Sequence, residues 1–87
     1  MNTDPALYDE ILTMLGRQPV PLDAFLRDLP AVTSKHQLKH LLTRLANRMG
    51  IALMLTVTNG IERVQVQAES WPRVRAEQEM AASRLKL

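Results

Sequence analysis

The chain has no cysteine, and its only aromatic residues are Tyr8, Phe25 and Trp71 among 87 positions. Without cysteine there can be no disulfide, thiolate metal ligand or thiol nucleophile. So few aromatics provide no platform on which single-stranded DNA or RNA bases would stack. No stretch approaches the ~18 apolar residues of a membrane-spanning helix. The opening Met1-Asn2-Thr3-Asp4-Pro5 lacks the basic-then-apolar layout of a secretory leader. A cytoplasmic protein with no membrane partner is the expectation. Also missing are a phosphate-cradling glycine loop, a nucleophile elbow and a paired-carboxylate arrangement. A chain this short encloses no substrate pocket of ordinary size. An enzyme is therefore not expected, and no cofactor is implied.

What is present is an aliphatic core. Hydrophobic residues make up 46% of the chain, enough for one small folded domain near the lower size limit for an independent core. The net charge is only +2, but it is unevenly spread. Residues 1–30 set five acids against Arg17 and Arg27. Residues 31–66 set Lys35, Lys39, Arg44, Arg48 and Arg63 against Glu62 alone. Positive charge gathered in the middle third points to an anionic partner there.

Asp4-Pro5 reads as a helix start, acid as cap and proline at the first turn. Leu7, Ile11, Met14 and Leu15 follow at helical spacing, with Gly16 as a left-handed stop, giving a helix over about 5–15. Gln18-Pro19-Val20-Pro21 favours extended backbone, with a short edge strand around Val20. A second helix runs over about 22–29 on the apolar side Phe25, Leu26 and Leu29, and ends at Pro30. Ser34 with Gln37 three residues on is a capping-box pattern, and Leu38, Leu41, Leu42, Leu45 and Met49 form a buried stripe that Gly50 terminates.

From Ile51 the period changes to two. Asn59-Gly60 between alternating runs specifies a hairpin with a type I′ turn. A two-residue turn pairs Thr58 with Ile61, Leu55 with Val64 and Leu53 with Val66, so the last four share one face; a one-residue slip would scatter them. Met54 falls on the other face, free to pack under the last helix or against a partner. From Ser70 a further helix carries Trp71, Val74, Ala81 and Leu85, with Gln78 interrupting the stripe.

This order of elements, with the stretch TSKHQLKHLLTRLANRMG before the Asn59-Gly60 ribbon, resembles a winged helix-turn-helix domain over about residues 5–67. The resemblance implies an α+β fold of three helices, a β-hairpin wing and an additional C-terminal helix. Residues 1–69 would form the winged domain, and 70–87 a helix for packing or dimerisation. It further implies sequence-specific binding of double-stranded DNA by a small transcriptional regulator of bacterial, plasmid or phage type. Helix 34–49 would enter the major groove and hairpin 51–67 would serve as wing. On that reading Ser34, Lys35, His36, Gln37, Lys39, His40 and Thr43 face base edges and nearby phosphates. Arg44 and Arg48 hold the backbone, and Arg63 reaches the minor groove.

Arg63 reads equally as an exposed strand arginine balanced by Glu62. His36 and His40 stand at the i, i+4 spacing of metal ligands, but no third ligand accompanies them, so no metal site is expected. Trp71, Val74, Ala81 and Leu85 either anchor the last helix or form the seam of a homodimer. Winged helices also serve as protein–protein modules, as in a phage- or plasmid-type inhibitor or adaptor. The modest net charge and the acids in the first two helices keep a protein partner open beside DNA.

Overall fold

The helical and alternating periodicities meet around one strand. A computed structural model describes residues 5–85. It contains α1 (Pro5–Met14), β1 (Val20–Pro21), α2 (Leu22–Asp28), α3 (Lys35–Met49), β2 (Leu53–Thr58), β3 (Ile61–Val66), a 3₁₀ turn at Ala68–Ser70, and α4 (Trp71–Leu85). The three strands form one antiparallel sheet in the order β1-β3-β2. The architecture is thus α+β, with β3 central and β2 along a free edge. The cap assigned to Asp4 lies outside the described residues.

The hairpin follows from its turn chemistry. Asn59 (φ 53°) and Gly60 (φ 76°) both take positive φ, which a type I′ turn requires and these residue types tolerate. The register pairs Thr58 with Ile61, Leu55 with Val64 and Leu53 with Val66. Alternation then places Val64 and Val66 fully inward. Over them pack Ile11 of α1, Leu22 and Phe25 of α2, Leu38 of α3 and Val74 of α4, none measurably exposed. The shared face is not buried across its whole width: Val64 is fully covered, but its partner Leu55 remains 49% exposed and Leu53 only partly covered, because β2 is the edge strand. Met54 is also exposed rather than tucked beneath α4.

α3 is amphipathic in the expected sense, burying Leu38, Leu41, Leu42 and Leu45. Gly50 closes it at φ 66°, in the left-handed region. Gly16 does not play the same part after α1, since it does not take a positive φ. Its carbonyl instead accepts from the Val66 N–H at 2.8 Å, tying the end of α1 to the central strand. The carbonyls of Leu12 and Leu15 accept from Gln78 Nε2 at 2.9 and 2.7 Å. The residue that breaks the apolar stripe of α4 therefore satisfies the open end of α1, a need every helix terminus has.

α4 belongs to the same core. Val74 and Ala81 are fully buried within the domain and Trp71 packs against it. The burial of Val74 and Ala81 is what the anchoring alternative for this helix requires, and of the four residues only Leu85 remains substantially exposed. Arg84 joins α4 to α1 by a two-pronged pair with Asp9, Nε to Oδ2 and Nη2 to Oδ1 both at 2.9 Å. That hydrogen bonding holds the Asp9 carboxyl below its ordinary range, outweighing the opposing effect of burial.

Two outcomes are expected. Gln78→Leu, which keeps bulk but strips the Leu15 carbonyl of its side-chain donor and leaves the Leu12 carbonyl only the Leu15 N–H, should lower unfolding free energy by about 1–3 kcal/mol in urea titration. Asp9→Asn should lower the thermal midpoint at neutral pH. A carboxyl whose folded pKa is depressed contributes stability above its unfolded pKa, near 4, and loses it as pH falls through the folded value. Melting curves of the variant and parent should therefore converge as the pH is lowered below the ordinary carboxylate range, through the depressed folded-state value.

Candidate nucleic-acid interface

The middle-third cations do not form one free surface. Ser34 caps α3, its Oγ accepting from the Gln37 N–H at 3.1 Å. The reciprocal half of the capping box is shifted by one residue: Gln37 Oε1 accepts from the Thr33 N–H at 2.8 Å and from the Thr33 hydroxyl at 3.1 Å. Gln37 thus has its carbonyl oxygen committed to the helix start, which removes the acceptor that a bidentate contact to adenine requires.

Lys35 and Lys39 are half-buried and paired. Lys35 Nζ lies 3.6 Å from Asp23 Oδ1 of α2, a solvent-exposed contact of the kind worth little. Lys39 makes a close ion pair with Glu62 of β3. Its ammonium, through a hydrogen bond and then through charge, holds the Glu62 carboxyl below the ordinary glutamate range. Glu62 reaches α3 because it shares the inward parity of Val64, two residues on. It therefore pairs with Lys39 and not with Arg63.

Beyond those pairs α3 presents His36, His40, Thr43, Arg44, Asn47 and Arg48, all exposed. Their spacing follows the helical repeat and puts them on one outward face. Among the described residues His36, His40, Arg44 and Asn47 make no ion pair or side-chain hydrogen bond. The Thr43 hydroxyl donates to the Lys39 carbonyl at 2.9 Å. The Arg48 guanidinium lies over the Tyr8 ring, 5.2 Å from its centre; this cation–π contact fixes its direction while leaving its charge. No acid lies anywhere on α3. Asn47 was not among the residues singled out from the sequence, though it follows Thr43 by four and His40 by seven.

Arg63 is not brought to this face. It sits mid-strand between Pro21 and Thr56, with parity opposite to Val64 and hence on the side of the sheet away from α3. The hairpin itself is apolar: Met54, Leu55, Val57 and Ile61 are 42, 49, 68 and 40% exposed. Among the described residues no group of three or more His, Cys, Asp or Glu is gathered as for a metal ion, and no helix is long and apolar enough to cross a membrane. No protein-family model matches the chain, and no curated protein or solved structure shows significant similarity to it.

Proposed function

We propose that the protein binds double-stranded DNA as a winged helix-turn-helix domain, a small sequence-specific regulator that lays α3 in the major groove with the β2–β3 hairpin beside it as wing. The observation that carries this reading is the outward face of α3: six exposed polar or basic residues at helical spacing, with no acid on the helix. Asn47 is suited to an adenine edge, His36, His40 and Thr43 to hydrogen bonds with bases or phosphates, and Arg44 and Arg48 to the backbone. Further support comes from the element order and from a sheet with the hairpin's second strand at its centre.

A protein-docking module is the second reading, favoured by the exposed apolar residues of the hairpin and by the absence of charge on β2. A wing that gripped phosphates would be expected to carry cations toward its tip, and this one exposes Leu55, Val57 and Ile61 there.

Fluorescence anisotropy with a mixed-sequence duplex at several salt concentrations separates the two. With Arg44, Arg48 and the loosely held Lys35 as about three phosphate contacts, log K should fall with log[salt] at a slope near −2.7. Arg44→Ala should flatten the slope by about 0.9. Glu62→Gln removes an acid and frees Lys39, so it should tighten binding and steepen the slope by a similar amount, to about −3.6. Arg63→Ala should change little. Absence of binding at low salt, or an Arg44→Ala variant indistinguishable from the parent, would overturn the DNA reading and favour the docking one.

A further inference from the structure

The free edge of the sheet is unguarded. Exposed edge strands are ordinarily blunted by lysine, proline, a bulge or an inward charge. β2 reads Leu-Met-Leu-Thr-Val-Thr and has none of these, and no charged residue occurs from Gly50 to Gly60. Its hydrogen-bond phase is set by the turn. Thr58 and Ile61 flank a two-residue loop and form a hydrogen-bonded pair, so Thr56 and Met54 also bond toward β3. The N–H and C=O groups of Leu53, Leu55 and Val57 consequently point away from the sheet. These same residues carry the side chains of the helix-facing side, with Leu55 and Val57 among the most exposed apolar residues described.

We propose that β2 pairs antiparallel with β2 of a second copy about a two-fold axis through Leu55, joining two three-stranded sheets into one of six. With Leu55 opposite Leu55 of the second copy, Leu53 falls opposite Val57 and Val57 opposite Leu53. All three outward-bonding residues then meet outward-bonding residues, and all three pairs are apolar on one face. A shift of two residues in either direction leaves one of the three unmatched. Beside Leu53 and Leu55, an open groove of about 280 Å³ runs between this edge and α3, walled by Leu42, Ala46 and Ile51. Val57 of the second copy, opposite Leu53, is placed to enter it.

A second copy fits this edge because the outward-bonding set Leu53, Leu55 and Val57 is its own complement when reversed about Leu55. With no charged residue from Gly50 to Gly60, the pairing also brings no like charges together. Leu55, Val57 and the partly covered Leu53 of each copy cover much less than the about 1,600 Å² of a standard interface. The association is therefore concentration-dependent, with a dissociation constant of about 1 µM or weaker. The inference rests on the strand edge and does not require that α3 meet DNA.

Sedimentation equilibrium of the full chain from about 0.1 to 500 µM spans that range. The mass should rise from 9.9 kDa toward twice that value. Val57→Lys should raise the dissociation constant at least about tenfold, as a charge buried in a small interface would. Ile61→Lys puts the same charge on the hairpin but on β3, and should change it less than about twofold. A monomer at every concentration overturns the proposal and leaves the edge to a different protein; equal weakening by both variants also overturns it. The register has its own test, which does not depend on the lysine variants folding. The chain has no cysteine, so Leu55→Cys introduces a single thiol on the proposed axis, where Cα atoms about 5.5 Å apart suit a disulfide. Leu55→Cys should oxidise to a covalent dimer in much higher yield than Met80→Cys on exposed α4; equal yields contradict the pairing.

Discussion

The parity of β3 is the constraint on which the rest of the structure depends. Asn59-Gly60 fixes the register of the hairpin, and a strand has only two faces. Once Val64 and Val66 point inward, the helices have a floor to pack on. The same choice turns Glu62 toward α3, where it takes Lys39 as partner, and turns Arg63 to the far side. It also fixes which backbone groups of β2 face outward. Slipping the register by one residue would exchange Val64 with Arg63 in the core and reverse each of these consequences.

Electrostatic function on α3 is shaped by what the fold subtracts. The middle third of the chain carries five cations against one acid, but packing brings Asp23 and Glu62 to two of them. What remains outward is more polar than basic: two histidines, a threonine and an asparagine together with Arg44 and Arg48. Such a surface suits the reading of base edges better than non-specific phosphate binding, since phosphate contacts position a protein while base contacts specify its site. The Lys39–Glu62 pair sits at the margin between α3 and the hairpin and sets how much positive charge that face displays.

The features legible in the sequence were local. The hairpin, its turn and its register follow from a dipeptide and a period of two, and α3 follows from Ser34, its leucine stripe and Gly50. Contacts between distant segments could not be read in the same way. The role of Gln78 depends on α4 lying across the end of α1, sixty-three residues earlier in the case of Leu15. Gly16 was expected to take left-handed backbone from its position after a helix, but the Val66 N–H satisfies its carbonyl and the chain needs no reversal there. The pairing of Lys39 with Glu62 and the burial of Val74 and Ala81 likewise depend on which elements pack together. Asn47 was within reach, because helical spacing from His40 and Thr43 points to it directly.

The central claim is that the outward face of α3 meets duplex DNA, and chemical-shift mapping of the backbone amides during duplex titration tests it most directly. Changes should concentrate at His36, His40, Thr43, Arg44, Asn47 and Arg48, and should leave Arg63 and the exposed side of α4 near their free positions. Changes confined to Leu53–Val57, or none along α3 at saturating duplex, would contradict the account.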